Sequence, residues 1–479
     1  MSRFNTKESS DAKTTNLAGG VAYKMGTEEE LVHAVLSTFL EDKAYETGDA
    51  RLTRIKSLVK GVDPIFVAKL AIVARHEFLL RTVSHVLVGE LAKIHKGDSL
   101  VMNTIVEIAM RPDDLTEILA YVGNPIPKSV RRGFRHGITK FNRYQLAKYK
   151  GEGKKVSLVD AFNLCHPDPK HANDEQKKAW GDLIKGNLAS FNTWEKEISD
   201  TENTDKKKAW SDLVRENKLG YMALLRNLNN LIKNDVDKDV IEIAANKLKD
   251  PGEVRKSKQL PFRFVTAYDN VTGNTKLLDA VSFAMDTAVE NVPEFSGSTL
   301  IAVDSSGSMS GDPIKKAAIF AAALFKANSD ADVILYDTKV AKLNASARLP
   351  VIDVAKFIEK SAMGGGTDTS LVFRTAEKKY DRVFILSDNE SWVDSGYRVG
   401  TSAAYNEYKT RVGANPYVYA IDIAGYGTKD IKGGKVFHLT GWSSRLFDFV
   451  KYAEKGQSLV EYIKTYIVKK ERHEKEDNE

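Results

Sequence analysis

The apolar residues of this chain change their period once, after Pro261, and that change limits the fold more than any other feature of the sequence. From Thr27 to about Lys249 they recur at helical spacing, one short segment after another. Thr27 and Glu30 have the spacing of a capping box, and Leu31, Val32, Val35, Leu36, Phe39 and Leu40 then fall on one face. Asp63-Pro64 opens another helix with a cap and a first-turn proline, leading into Ile65, Phe66, Leu70, Ile72 and Val73. Asp98, Asp113 and Asp160 stand before similar runs. A long series of antiparallel helices, a solenoid, is expected. The run from Lys177 through Ala179-Trp180 to Asp182-Leu183 returns from Lys207 through Ala209-Trp210 to Asp212-Leu213, and Asn187 has its match in Asn217. It reads equally as a duplicated unit or as two amphipathic helices that each bury a tryptophan.

Beyond Pro261 short β-rich runs alternate with helical segments: Thr299 to Val303, Val333 to Tyr336, Arg382 to Leu386 and Tyr417 to Ile423. Such runs belong to a parallel sheet with both faces covered, so this half is an α/β, Rossmann-like domain. With 479 residues, two or three domains are the prior. The expected division is an N-terminal segment 1–26, a helical domain 27–270, an α/β domain 271–468 and a charged tail 469–479. The longest apolar stretch, Ala317 to Phe325, falls far short of the ~20 residues that span a bilayer, so a soluble chain is expected. Met1 to Asn16 is polar and shows no secretory h-region. Cys165 is the only cysteine, which excludes an internal disulfide framework and suits a reducing, cytoplasmic setting.

The first strand of the α/β half runs into Asp304-Ser305-Ser306-Gly307-Ser308, followed by Asp312-Pro313 and an apolar helix. Asp304, Ser306 and Ser308 alternate along a turning loop, so their oxygens can converge while Gly307 permits the bend. One carboxylate with two hydroxyls suits a hard cation that keeps several waters, magnesium or manganese rather than zinc. The pattern resembles the metal-ion-dependent adhesion site of von Willebrand A domains. That resemblance implies a threonine and an aspartate further along, and Thr367 in Gly364-Gly365-Gly366-Thr367-Asp368 and Asp388 after the strand Arg382 to Leu386 stand where they are needed. Singly, Asp304 reads as a helix cap, Thr367 as a turn residue and Asp388 as a loop charge; only a site explains the three together. No G-x-S-x-G elbow, Walker loop or HExxH helix is present, and a metal phosphohydrolase would want more carboxylates, so a non-enzymatic protein is expected.

Between Lys128 and Lys155 ten lysines or arginines face one acid, Glu152. Lys128, Arg131, Arg132 and Arg135 fall at i, i+3, i+4 and i+7 of a helix, with Phe134, Phe141, Tyr144 and Tyr149 interleaved. Positive charge for phosphates and rings for unstacked bases suit single-stranded or structured RNA; a solvated basic face over buried aromatics fits the same residues. Met222-Ala223-Leu224-Leu225-Arg226-Asn227-Leu228, Leu260-Pro261-Phe262-Arg263-Phe264, Asp304 to Met309 and Leu386-Ser387-Asp388-Asn389-Glu390 together resemble the TROVE-module proteins, the Ro autoantigen and its bacterial relatives. The similar segments run from Asn16-Leu17-Ala18-Gly19-Gly20 to the region of Trp442.

The resemblance implies a ring of HEAT-like helical repeats closed by a von Willebrand A domain. It implies a monomer that binds a structured Y or Y-like RNA on an outer basic surface and single-stranded 3′ ends of misfolded RNA in a central hole. Lys148, Tyr149, Lys150 and His166 match positions that touch RNA in that family, with Arg131, Arg132 and Arg135 as supporting charges. An exoribonuclease, or another protein offering an acidic group to the metal, is the implied protein partner, and no membrane is. Gly151 to Lys155 departs from the family pattern, and the acidic-basic segment from Asp168 to Lys208 is expected to trim or reshape one repeat. The alternative is a metal-dependent protein-adhesion or assembly factor acting through the von Willebrand A domain.

Overall fold

The computed structural model describes residues 13–15, 21–23, 25–36, 48–96, 99–189, 198, 206–389, 400–423, 429–433, 435–440, 447, 450, 453–454 and 458–466. Phe39, Leu40, Asp98, the Asn16–Gly20 start, Glu390, Trp442 and the 469–479 tail lie outside them. The chain packs as two compact units. One, the helical unit, takes residues 26–191 and 455–479; the other, the mixed unit, takes 1–25 and 192–454. The change of period after Pro261 and the cut between compact units are therefore different places, because the helices just before Pro261 pack with the sheet-bearing segment.

The helical unit contains α1 (Thr27–Leu36), α2 (Gly48–Val59), α3 (Pro64–His76), α4 (Arg81–Ile94), α5 (Leu100–Ile108), α6 (Pro112–Val122), α7 (Lys128–Gly137), α8 (Arg143–Lys148), α9 (Leu158–Cys165) and α10 (Asp174–Ile184). Asp63 caps α3 by accepting from the amides of Ile65 and Phe66. Before α1 the Glu30 amide bonds to the Gly26 carbonyl, so the helix starts one residue earlier than the Thr27 capping box requires. Asp113 and Asp160 lie inside their helices; Asp114 accepts from the amides of Met110 and Arg111, and Ser157 caps α9 with Asp160 reaching back to the Ser157 amide. Helix α5 meets α7 at Gly133, where a Cβ would stand 2.7 Å from Ile105. Only glycine allows that approach.

The mixed unit has an antiparallel strand pair, β1 (Lys13–Thr15) and β2 (Val21–Tyr23), in the register Thr14 to Ala22. Its helices α11 (Lys206–Arg215), α12 (Tyr221–Lys233), α13 (Lys238–Lys249), α14 (Pro251–Ser257), α15 (Val265–Asn270) and α16 (Thr275–Thr287) precede the larger sheet. The tryptophan repeat is a repeat of local structure: Trp180 in α10 and Trp210 in α11 are each 3% exposed. Each helix closes on a left-handed residue, Gly186 (φ 74°) and Asn217 (φ 53°), with a buried leucine two residues later, Leu188 and Leu219. The structural partner of Asn217 is thus Gly186, one residue from the Asn187 that sequence matching pairs with it.

The sheet orders its strands β5-β4-β3-β6-β7-β8, with β3 (Thr299–Asp304), β4 (Ala331–Tyr336), β5 (Val340–Lys342), β6 (Arg382–Ser387), β7 (Tyr417–Asp422) and β8 (Val436–Thr440). All neighbours are parallel except β4 and β5, which form an antiparallel edge pair, so the sheet is mixed where an all-parallel one is expected from sequence. The helices of this part are α17 (Asp312–Ala327), α18 (Val351–Lys360), α19 (Ser370–Arg374) and α20 (Thr401–Val412). Every residue of β3 and β6 is buried. Leu300, Ala302, Val383 and Ile385 pack under Phe373 of α19 and Tyr405 and Tyr408 of α20. Two faces covered by helices explain the unbroken apolar strands. The chain then re-enters the helical unit with α21 (Leu459–Thr465), which packs on α3 and α1. Among the described residues no helix is long and apolar enough to cross a membrane.

Candidate functional site

From β3 the chain moves to β4 on one side and later to β6 on the other, which makes the carboxyl ends of β3 and β6 the switch point of the sheet. Asp304 ends β3 and Ser387 ends β6, with Asp388 the next residue. Asp304 is fully buried; it accepts from the Ser306 amide at 2.9 Å and from the Ser387 hydroxyl at 2.6 Å. The Ser306 and Ser308 hydroxyls stand 3.2 Å apart. Thr367 and Asp388 are each 2% exposed.

The glycine loop is pinned to this turn by two backbone bonds, the Gly364 amide to the Ser305 carbonyl at 2.8 Å and the Gly307 amide to the Gly365 carbonyl at 2.9 Å. Gly365 also donates to Asp337 at 3.0 Å, and a Cβ there would sit 2.4 Å from that carboxylate. Gly364 holds φ 79°, whereas Gly307 is outside the left-handed region. The demand for glycine therefore falls on the second loop, and Gly307 starts an ordinary 3-10 turn, Gly307–Met309. Burial, and after it the charge of Asp388, pushes the Asp304 carboxyl up to about 7, against the hydrogen bonds from Ser387 and Ser306. Two carboxylates kept from water beside one another call for a proton or a cation. Among the described residues there is no group of three or more His, Cys, Asp or Glu placed to hold a metal, so a cation here would rest on two carboxylates and hydroxyls, the donor set of a hard ion.

The basic segment divides differently from its sequence pattern. Lys128, Arg131 and Arg135 project from α7, and Arg132 is half-buried. Arg135 Nε donates to the Cys165 carbonyl at 2.5 Å, which brings the α7 stripe to the end of α9 where His166 follows. His166 is exposed and held at φ 51°, ψ 65°, immediately before Pro167. A non-glycine residue in that region before a proline is strained twice over. Lys148, Tyr149 and Lys150 lie at the other end of α9, tied there by the Leu158 amide bond to the Lys150 carbonyl at 2.9 Å. Eight residues of helix separate the two groups by about 12 Å. Tyr149 is half-buried with the Arg111 guanidinium 4.4 Å from its ring centre. Lys150 reaches Glu152 at 3.9 Å, and Lys154 and Lys155 turn back to α6, onto Glu117 and the Ala120 carbonyl.

Phe134 and Phe141, expected as interleaved stacking rings, are 1% and 2% exposed and belong to the core. Val130 and Phe134 at i and i+4 are the buried side of α7, a signal already present in the sequence. Sequence reading missed a buried ion network. Asp114 is fully buried and bonds to Arg75 at 2.9 Å, Arg81 at 2.5 Å and His85 at 3.2 Å. Burial alone would raise its pKa, but hydrogen bonds from His85 and Arg81 and the charge of Arg75 outweigh it and hold the carboxyl well below its usual range.

An array of short helices in front of an α/β domain with a DxSxS turn at its switch point defines a helical-repeat protein that carries a von Willebrand A-like domain. The TROVE domain family matches residues 184–289. The structure is similar to that of the Ro (RSR) protein of Deinococcus radiodurans, with a TM-score of 0.65 and 18% identity over 90% of this chain and 100% of that one. Telomerase protein component 1 of Mus musculus is 38% identical over 79 residues, 16% of this chain, and that of Rattus norvegicus 34% identical over 79 residues. The aligned stretch spans 3% of the length of those two relatives. The TROVE match is confined to residues 184–289, and the likeness to the Ro (RSR) protein is one of fold.

Proposed function

We propose that this chain is a non-enzymatic RNA-binding protein of the Ro kind, a cytoplasmic scaffold for a small structured, Y-like RNA and for single-stranded 3′ ends of misfolded RNA. The observation that carries the reading is the joining of the exposed α7 arginines to His166 through the Arg135 bond to Cys165, beside a stretch nearly free of acids. Lysine and arginine side chains neutralise phosphates, so affinity falls steeply with salt. His166 and Tyr149 supply faces for unpaired bases at the two ends of α9. Arg131, Arg132, Lys148 and Lys150 supply the charge.

The Asp304–Asp388 pair, with Ser306, Ser308 and Thr367, supports a magnesium site, manganese being the substitute, that keeps a coordination position for an acidic group of a protein partner such as an exoribonuclease. The same pair supports the second reading, a metal-dependent adhesion factor. RNA crosslinked to the tagged protein, recovered and sequenced beside the K148A/K150A/H166A variant, separates the two. One abundant small RNA, lost in the variant, is the expected result. No enriched RNA from either protein, together with partner capture that EDTA abolishes, replaces the RNA reading with the adhesion one.

A further inference from the structure

Asp337, the residue after β4, grips the glycine loop on both sides of Thr367. Its side chain is buried, and its two carboxylate oxygens reach two separate stretches of backbone. Oδ1 accepts from the Lys339 amide at 2.7 Å and from the Thr338 hydroxyl at 3.4 Å, while Oδ2 accepts from the Gly365 amide at 3.0 Å. The main-chain carbonyl of Asp337 accepts in turn from the Asp368 amide at 2.9 Å. Asp337 is itself fixed in the turn between β4 and β5, where its own amide donates to the Lys339 carbonyl at 3.0 Å. The loop is therefore held at Gly365 by a side chain and at Asp368 by main chain, and only Gly366 and Thr367 lie between the two grips. The far grip is stiffened by Asp368 Oδ1, which accepts from the Ser370 amide at 3.1 Å and the Ser370 hydroxyl at 2.5 Å.

We propose that Asp337 is a positioning residue of the metal centre, which locks the glycine loop so that Thr367 is preset for a hard cation beside Asp304 and Asp388, and does so without touching the ion. A neutral hydroxyl is a weak ligand, and it adds to affinity only where its place is fixed before the ion arrives. Gly364, Gly365 and Gly366 make the loop that carries Thr367 the segment with most backbone freedom to lose. The Asp337 bonds meet that ordering cost during folding, so it is not charged against metal binding. A carboxylate withdrawn from water is costly unless its lone pairs are taken up. Here they are taken up by amides of two segments distant in the sequence, which ties the presentation of Thr367 to a hairpin turn outside the ligand motif.

The clamp rests on the metal reading above, and its test keeps the two apart. Manganese alone is titrated into the full chain and followed by loss of the free-ion EPR signal, for the parent, D337A, D337N, T367A and T367A/D337A, each also melted in EDTA. The expected result for D337A is a loss of about tenfold in manganese affinity. The same substitution costs less than about twofold once Thr367 is gone, since a residue that acts through Thr367 then has nothing left to position. D337N keeps one acceptor oxygen and the volume of the side chain, so it loosens one grip only, and its loss falls between those of the parent and D337A. Where D337A melts out in EDTA, D337N and T367A/D337N carry the same comparison. Parent-like affinity in the Asp337 variants, whatever their melting temperatures, makes the carboxylate a contact of the fold alone and overturns the clamp while the metal reading stands. Equal losses with and without Thr367 overturn it as well, because the carboxylate then acts by its charge. A parent that takes up no manganese overturns the metal reading and the clamp together.

Discussion

Asp114 and Asp304 are both buried aspartates, and their neighbours drive them in opposite directions. Asp114 is surrounded by Arg75, Arg81 and His85, so its carboxylate is depressed and stabilises the fold fully above about pH 5, losing that contribution as pH falls through the native value. Asp114→Asn leaves Arg75 buried with a weaker partner, and a cost of about 3–5 kcal/mol at neutral pH is expected. Urea denaturation at pH 7 and near pH 3 checks the sign: the gap between variant and parent is widest at pH 7 and narrows in acid.

Asp304 faces Asp388, and without a cation the first is raised to about 7. At the proposed site magnesium would have to displace that proton, so metal affinity is expected to weaken as pH drops below 7, a trend calorimetry at pH 6 and pH 8 reads directly. Asp388→Asn removes the repulsion as well as a proposed ligand. Its metal-free melting temperature should equal or exceed the parent's, while the magnesium stabilisation, about 2.7 kcal/mol at a hundred times Kd, vanishes. A variant that melts lower in EDTA and still responds to magnesium contradicts the site.

At the scale of elements, glycines decide where helices and loops meet. Gly133→Ala pushes a methyl group against Ile105 where α5 crosses α7, and a loss of about 1–3 kcal/mol is expected in chemical denaturation. The helices of the first half and the four central strands are legible from periodicity, because each is set by its own residues. The DxSxS turn is legible for the same reason, and Thr367 and Asp388 follow from family pattern, being carried on loops at the ends of strands. Strand β5, three residues with Lys342 at the edge, gives too short a signal, and its antiparallel pairing with β4 comes from the tight Asp337 to Lys339 turn. The Asp114 network was hidden because its partners lie 29 to 39 residues away on α3 and α4.

On the scale of the whole molecule, the helical unit is built from two distant stretches of chain. Helix α21 buries Leu459 and Ile463, and its Lys464 pairs with Glu28 at 2.6 Å while accepting from Lys69 through its carbonyl. Removing residues 458–466 uncovers α1 and α3 and should cost about 3–6 kcal/mol by the burial of two aliphatic side chains. Hydrogen exchange that rises in α1 and α3 and stays level in β3 and β6 is the expected pattern. The return of α21 also sets a clock for synthesis. Domains ordinarily fold in the order in which they leave the ribosome. Here α1 and α3 emerge first but wait for residues made more than 400 positions later than Thr27, so the first helices to be translated are among the last to be finished. A nascent chain stalled anywhere before α21 carries their uncovered apolar faces, and it is this interval, rather than the native state, in which the protein is most exposed to aggregation.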